Sequence, residues 1–215
     1  MDDPNTRKLF ANVITSTQCP FAKKGRVHYG TTWSGQIEFT QQTKIWTQEM
    51  TRFIELVSIT NPDGFVIGVH GGQSPKTLHE LSLFVCHTLN ELTIQSHGNP
   101  LKQNEVCVDG WQFSFHEIRM FLVVMSSVYP QTNSRHSPLS HSTFMFFQPE
   151  VSFDNFMPHS VHDPRTQRQK KMIQKAFVSA GKEYDTMIVA SSSEISKYVK
   201  PLNLGDPVVE WWKNL

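Results

Sequence analysis

The chain has 215 residues, with 20 Lys and Arg against 19 Asp and Glu, so its formal net charge is only +1. This length suits a single domain, residues 1–215, with a core of ordinary size. The balanced charge gives no reason to expect nucleic acid or an anionic membrane as a partner. No run of about 18 apolar residues is present, so no membrane span is expected.

The three cysteines, Cys19, Cys86 and Cys107, are odd in number and widely spaced. This pattern disfavours a disulfide scaffold and a structural zinc site. The N-terminus is acidic and polar, and it lacks the basic and apolar blocks of a secretory signal. A reducing, cytoplasmic location is therefore the default expectation.

Two apolar patterns mark the first predicted elements. Residues 43–57 are predicted to form a helix, because apolar side chains recur there at three- or four-residue steps. These side chains are Trp46, Met50, Phe53 and Val57. Residues 64–69, with the sequence G-F-V-I-G-V, are typical of a short buried strand.

A second helix is predicted after the sequence G-G-Q. Ser74 is suited to the N-cap position and Pro75 to the first helical position. The helix then continues for about four turns on the spacing of its apolar residues. These are Leu78, Leu81, Val85, Leu89 and Leu92. Residues 95–105 are polar, contain Gly98 and Pro100, and are predicted to form an exposed loop.

Three strands are predicted in the central part of the chain. Residues 111–115 alternate apolar and polar side chains, as a half-buried strand does, and residues 120–125 are apolar throughout. The four residues between them, 116–119, have the length of a hairpin turn. A polar connection over residues 130–141 leads to the third strand, residues 143–147.

The C-terminal part is predicted to contain a helix over residues 165–180, a strand over residues 186–190 and a helical turn over residues 194–198. Helices come first, then mostly adjacent strands, then a helix and a strand. This order favours an α+β fold, with a mainly antiparallel sheet packed with several helices in a single domain. Trp211 and Trp212 are expected either at an interface, such as that of a homodimer, or on the core.

The stretch richest in reactive side chains is residues 146–177. Its loop carries Glu150, Asp154, His159, His162 and Asp163. Prolines flank the two histidines, so a loop is favoured over a helix, and two imidazoles are fewer than the three protein ligands of a zinc site. The alternative is that they cap the following helix or bond to carboxylates. Asp163, directly before Pro164, is explained as a helix N-cap.

Charged residues in this stretch have functional and structural interpretations. Glu150 and Asp154 would bind a cationic substrate or transfer protons. The alternative is that both carboxylates have a purely structural role. Arg165, Arg168 and Lys171 recur at three-residue steps on one side of the predicted helix. Such a face is suited to carboxylates of a ligand, or it is simply solvated.

A second candidate lies near the N-terminus. Cys19 stands close to Lys23 and Lys24 in the sequence Q-C-P-F-A-K-K-G. Neighbouring positive charge would activate the thiol as a nucleophile or ligand. The alternative is a buried, inert thiol.

Four stretches together resemble the YqcI/YcgG family. Residues 19–25, C-P-F-A-K-K-G, are similar to the family's Cys-x-x-Ala-Lys segment. Residues 111–130, followed by Ser134 and Arg135, resemble the family's hairpin, in which a Met-Phe-hydrophobic strand enters a Pro-containing loop with an Arg. The remaining matches are F-Q-P-E-V-S-F-D at 147–154 with H-D-P-R-T-Q-R-Q-K-K-M-I at 162–173, and D-P-V-V-E-W-W at 206–212.

Some relatives in and around this family are heme proteins that oxygenate a side-chain nitrogen of an amino acid. The resemblance therefore implies heme b, molecular oxygen, an electron source and a small-molecule amine or guanidine substrate. It implies an axial histidine, with His162 preferred and His159, His136 and Cys19 as alternatives. The cationic residues expected at propionates or a substrate carboxylate are Arg165, Arg168, Arg135 and Lys23. The acidic residues expected to face the substrate cation are Glu150 and Asp154.

One departure from the resemblance is Tyr129, which precedes Pro130 where the N-oxygenating relatives have a histidine. Two other functions stay open. The first is a non-catalytic heme or small-molecule binding protein, and the second is a non-heme metal-dependent enzyme using His159, His162 and a carboxylate.

Overall fold

The computed structural model describes residues 2–155, 163–186 and 193–215, with residues 154 and 155 described by their backbone alone. The helices are α1 Pro4–Ser16, α2 Phe39–Thr60, α3 Leu78–His97, α4 Gln103–Val106 and α5 Pro164–Ser179. The strands are β1 Val27–Trp33, β2 Gly64–His70, β3 Ser114–Phe115, β4 Ile118–Ser126 and β5 Ser142–Pro149. Short 3₁₀ turns occur at Ala22–Lys24, Glu150–Asn155, Ile195–Lys197 and Trp211–Asn214.

The strands form one five-stranded sheet in the order β1-β2-β5-β4-β3. β1 is parallel to β2, and every other neighbouring pair is antiparallel. The turn between β3 and β4 contains His116 and Glu117, both with positive φ, of 44° and 65°. Two such residues in succession suit the right-handed twist of a tight hairpin. The predicted α+β fold with a mainly antiparallel sheet in a single domain is confirmed.

The sheet has an apolar core on each face, because successive side chains of a strand point to opposite sides. On one face, Leu122 and Phe147 pack with the apolar stripe of α2 and with α3 in the larger core. On the other face, Val66 and Phe144 pack with Phe10 of α1. The predicted stripe of α2 is fully buried, which explains why its periodicity identified that helix.

Side chains satisfy the outward backbone groups of edge strand β1. Asp2 Oδ1 accepts from the N–H of Tyr29 at 3.1 Å, and Glu49 Oε2 accepts from the N–H of Thr31 at 2.9 Å. Trp46 Nε1 donates to the carbonyl oxygen of Thr31 at 2.7 Å. Because an unpaired strand edge is a template for association with another chain, these bonds protect the edge.

The start of α3 differs from the prediction. Its N-cap is Thr77, whose hydroxyl oxygen accepts from the N–H of Glu80 at 3.1 Å. The prediction that Ser74 caps this helix with Pro75 in the first turn is wrong. Ser74 is buried instead, with its hydroxyl 3.4 Å from Thr143 Oγ1 on β5.

Other boundaries also shift. The loop predicted over residues 95–105 is partly wrong, because α3 extends to His97 and α4 occupies Gln103–Val106. The strand predicted over residues 111–115 shortens to β3. The strand predicted over residues 186–190 lies, apart from Thr186, outside the described residues. The sequence reasoning also misses α1 and β1.

The remaining predicted elements of the C-terminal part are confirmed. Helix α5 begins after Asp163, whose side chain accepts from the N–H of Arg165 at 2.7 Å, as expected of an N-cap. The predicted helical turn is the 3₁₀ turn Ile195–Lys197. Trp211 and Trp212 are buried on the larger core. None of the described helices is long and apolar enough to cross a membrane.

Candidate functional site

A group of polar residues meets where β4 ends. The loop after β4 returns to the sheet, since the N–H of Ser126 donates to the carbonyl of Arg135 at 3.0 Å and the N–H of Ser137 donates to the carbonyl of Ser126 at 3.0 Å. These two bonds fix the positions of Arg135 and His136 at the end of the strand. The segments that follow α5 and the turn Ile195–Lys197 bring Tyr184 and Lys200 to the same region.

Tyr129 connects this loop to the C-terminal segment. Its ring is 1% exposed, and its phenolic oxygen accepts from the backbone N–H of Lys200 at 3.0 Å. Burial raises the pKa of Tyr129 to about 12. Tyr129 therefore has a clear structural role in this chain.

His136 is held in one tautomer. Its Nδ1 lies 2.7 Å from the carbonyl oxygen of Tyr129. Because a carbonyl oxygen only accepts, Nδ1 carries the proton and Nε2 keeps its lone pair. Metal-binding histidines ordinarily donate their second ring N–H to a carbonyl or carboxylate in this way. His136 and Cys19 are the two predicted axial ligands that lie among the described residues, and His136 has this arrangement.

Arg135 is the centre of the cluster. It is partly exposed, and its backbone N–H donates to Asn133 Oδ1 at 2.9 Å. Burial lowers the pKa of the guanidinium, and the ionisable groups of Tyr129, Tyr184 and Cys19 act in the opposite direction. Arg135 and Cys19, two predicted site residues more than a hundred positions apart in the sequence, are thus coupled electrostatically.

Lys200 is a functional candidate that the sequence reasoning misses. It is 5% exposed, and its Nζ lies 5.8 Å from the centre of the Tyr184 ring. Burial lowers its pKa to about 7, and the nearby charge of Arg135 adds to this effect. Lys200 lines a small surface cleft. The cleft residues are Asn133, Ser134, Glu183, Asp185, Lys200, Pro201, Asn203 and Leu204.

An incompletely covered apolar surface lies on the α1 side of the sheet. Phe121 and Val123 of β4 and Phe146 of β5 remain half-buried. Phe146 packs at 6.2 Å from the ring of Phe10 on α1, and Phe121 packs at 6.0 Å from Phe153 in the turn after β5. These half-buried side chains form a mainly aromatic surface on this face of the sheet.

Four predicted charged residues lie at the surface. Glu150 is exposed and pairs with Arg119, with 3.5 Å between Oε2 and Nε. Arg165 is exposed and pairs with the N-cap Asp163 at 3.1 Å. Arg168 on α5 and Lys23 in the turn Ala22–Lys24 are exposed as well. The bonds of Glu150 and Arg165 account for both residues structurally, without deciding whether they also bind a ligand.

Three predicted residues are not placed by the structure. Asp154 is described by its backbone alone, and His159 and His162 lie outside the described residues. Within residues 2–155, 163–186 and 193–215, no three His, Cys, Asp or Glu side chains form a group that could hold a metal ion. The roles assigned to the two histidines therefore stay predictions.

A second cleft, of about 280 Å³, lies beside edge strand β1. It is lined by His28, Glu49, Arg52, Phe53, Leu56 and Phe65. Burial raises the pKa of Glu49, and its bonds to the backbone and hydroxyl of Thr31 oppose this change. Because both bonds hold the strand edge, we assign Glu49 a structural role.

Comparison with known proteins identifies one family. The model of the YqcI/YcgG family matches residues 10–202, which is most of the chain. No curated protein matches the chain. No solved structure matches it either.

Proposed function

The chain belongs to the YqcI/YcgG family, and from that premise we propose that it is a heme-dependent oxygenase. Its substrate would be an amine or guanidine of a small, amino-acid-like molecule, which it would N-hydroxylate. The observation that carries the proposal is His136, whose Nδ1–H is bound to a backbone carbonyl while Nε2 keeps its lone pair. The histidine is adjacent in sequence to Arg135, a cation suited to a heme propionate.

The residues present fit a heme chemically. A heme needs an axial nitrogen or sulfur ligand, an apolar surface and cations for its two propionates. Among the described residues, His136 would supply the nitrogen and Arg135 a cation. Phe121, Val123 and Phe146 would supply apolar surface. The other predicted ligands remain proposals: His162, His159 and Cys19.

When bound, a heme supplies the iron that activates oxygen, and the protein supplies orientation and a dry environment. In the proposal, Glu150 and Asp154 attract the cationic end of the substrate when the heme is held by His162 or His159, because Glu150 lies beside Arg119 at the start of β4 whereas His136 lies at the end of that strand. Glu150 is paired with Arg119 across 3.5 Å, so a substrate cation would have to replace Arg119. That exchange costs little, because exposed ion pairs contribute only about 0–1 kcal/mol.

One observation favours a second candidate, a non-catalytic heme-binding protein. Cys19 acts electrostatically to raise the pKa of Arg135, and His136 is the next residue after Arg135. Two protein ligands on one iron would leave no position for oxygen. The two candidates therefore differ in oxygen chemistry, although both predict heme binding.

Substrate-dependent oxygen consumption tests the proposed activity. Heme-loaded protein is supplied with a reductant and a panel of small amines and guanidines, and oxygen uptake is followed. We expect uptake with at least one substrate, its loss in His136→Ala, and its retention in His87→Ala, which changes an exposed histidine on α3. Heme-loaded protein that shows no substrate-dependent uptake would favour the non-catalytic candidate.

A further inference from the structure

Helix α5 concentrates the positive charge of the chain. Five of the 20 Lys and Arg residues lie within Pro164–Ser179, and none of the 19 Asp and Glu residues does. The rest of the chain therefore has 15 cations against 19 acidic residues, a formal net charge of −4. The nearly neutral composition of the whole chain thus hides one strongly basic helix.

The cations of α5 lie mainly on its outward side. Arg168, Lys171 and Lys175 are exposed, and their three- and four-residue spacing places them on one face of the helix. The opposite face, with Thr166 and Phe177, is buried. Within the ranges that the structure describes, no ion pair joins these three cations to an acidic side chain. Because like charges at this spacing repel one another, a negatively charged partner would stabilise the face.

Two exposed apolar side chains accompany the cations. Met172 is 44% exposed and Val178 is 58% exposed. Protein–protein interfaces combine an apolar centre, in which methionine is enriched, with a polar rim. The surface with this composition, called the α5 outer face below, consists of Arg168, Lys171, Met172, Lys175 and Val178.

The C-terminal end of α5 is tied to the loop that carries His136. The backbone N–H of Glu183 donates to the carbonyl oxygen of Thr132 at 2.7 Å, and Lys182 Nζ donates to the carbonyl oxygen of Gln131. Since four residues span at most about 14 Å, the Cα of His136 lies within that distance of the Cα of Thr132. The basic helix is therefore joined directly to the loop whose histidine the proposed function assigns to the heme.

We propose that the α5 outer face docks a small acidic electron-transfer protein. The redox role of that partner rests on the proposed function, whereas the docking of an acidic protein does not. N-hydroxylation places one atom of O₂ in the product and the other in water, and this consumes two electrons from the donor and two protons from solvent. A one-electron donor would dock once for each electron and leave in its oxidised form.

The size and composition of the α5 outer face favour this partner over a membrane or a nucleic acid. The helix has 16 residues and is about 24 Å long, which suits the small interfaces, below roughly 1,200 Å², of transient electron-transfer complexes. A membrane-surface helix turns its large apolar side chains outward, but Phe177 is buried. The net negative charge of the rest of the chain would repel the phosphates of a nucleic acid.

The test measures docking on heme-free, ¹⁵N-labelled protein by NMR chemical-shift changes. The probes are a plant-type ferredoxin and a flavodoxin, both acidic, and the competing partners are phosphatidylserine vesicles and a DNA duplex. Lys175→Glu combined with Val178→Glu makes the α5 outer face more negative. Lys44→Glu combined with Ile59→Glu is the matched control, since it changes an exposed lysine and an exposed apolar residue of α2 and alters the net charge equally. Urea denaturation verifies that both variants fold.

We expect saturable binding of at least one acidic protein at low salt, with shift changes on α5. Affinity should fall about tenfold or more in roughly 0.5 M salt, because salt screens exposed charges. It should fall similarly in the α5 variant and persist in the α2 variant. The proposal is overturned by no saturable binding of either protein, by equal losses in the two variants, or by tighter binding of vesicles or DNA.

A second measurement separates electron delivery from the proposed function. Oxygen uptake by heme-loaded protein is driven either by the reduced acidic protein or by a chemical reductant. The α5 variant should lose about tenfold of the protein-driven uptake and keep the chemically driven uptake. Equal protein-driven uptake in the variant and the parent would overturn electron delivery through α5. Absence of uptake with the chemical reductant would contradict the proposed function instead, and the NMR titration would still decide whether an acidic protein docks.

Discussion

The backbone N–H of Lys200 donates to the phenolic oxygen of Tyr129 at 3.0 Å, across 71 positions of sequence. This hydrogen bond joins the loop after β4 to the C-terminal segment. It also sets Lys200 near Arg135, so that two cations share one small region.

Removing the Tyr129 hydroxyl should weaken the fold. In Tyr129→Phe, the buried N–H of Lys200 loses its acceptor, which costs about 1–3 kcal/mol of unfolding free energy. Urea denaturation followed by circular dichroism measures the change. Tyr184→Phe, at a half-buried position, is the control and should change the unfolding free energy by less than about 0.5 kcal/mol. Equal stability of Tyr129→Phe and the parent would contradict this role.

Replacing Lys200 should stabilise the ligand-free protein. Its pKa falls from 10.5 to about 7 on folding, so between these values the unfolded chain binds more protons and stability rises with pH. Below pH ~7 the positive charge costs roughly 5 kcal/mol, since one pH unit corresponds to about 1.4 kcal/mol. Lys200→Met should therefore raise the unfolding free energy most near pH ~6 and least near pH ~10.

Urea denaturation at the two pH values measures this effect. Lys213→Met, which removes an exposed and paired lysine, should change stability by no more than about 0.5 kcal/mol at either pH. A Lys200→Met protein that is less stable than the parent at the lower pH would show that the ammonium has a partner after all.

Glu49 provides a test of the protected strand edge. Glu49→Ala removes the acceptor of the Thr31 N–H and should cost about 1–3 kcal/mol. Glu49→Gln retains an acceptor oxygen and should cost much less. Because burial raises the pKa of Glu49, its contribution to stability falls as pH rises through that pKa, and the Gln variant lacks this pH dependence. Identical denaturation curves for the Ala and Gln variants would contradict the assignment.

Trp211 should matter for folding and not for association. Its ring is fully buried, stacks on Tyr198 with centroids 5.8 Å apart, and donates through Nε1 to the carbonyl of Ile195 at 2.8 Å. Trp211→Ala should therefore cost about 3–5 kcal/mol. Chemical denaturation measures the loss, and light scattering measures the oligomeric state. A changed oligomeric state with unchanged stability would instead place the tryptophan at an interface.

Much of the fold is predictable because long apolar stripes have a clear period. The stripe of α2 and the continuous apolar run of β2 are both fully buried, so burial and pattern coincide. β1 escapes the sequence reasoning because it is an edge strand whose residues are nearly all only partly buried. Its position depends on distant partners such as Asp2 and Glu49, and no local pattern contains them.

The candidate site is predictable only in part. The resemblance points to Arg135 and Cys19, which are coupled electrostatically in the structure. Lys200 has no local signal, because its burial depends on residues far away in sequence, such as Tyr129, 71 positions earlier in the chain. Likewise, the fixed tautomer of His136 depends on a carbonyl seven positions away in an irregular loop.

The central claim is that the chain binds heme, and titration of the heme-free protein with hemin tests it most directly. Absorption spectra are recorded as hemin is added, with His136→Ala measured in parallel. We predict a Soret band that saturates at one heme per chain, and a weakened or shifted band in the variant. A featureless titration, without a saturating Soret band at stoichiometric hemin, would contradict the account.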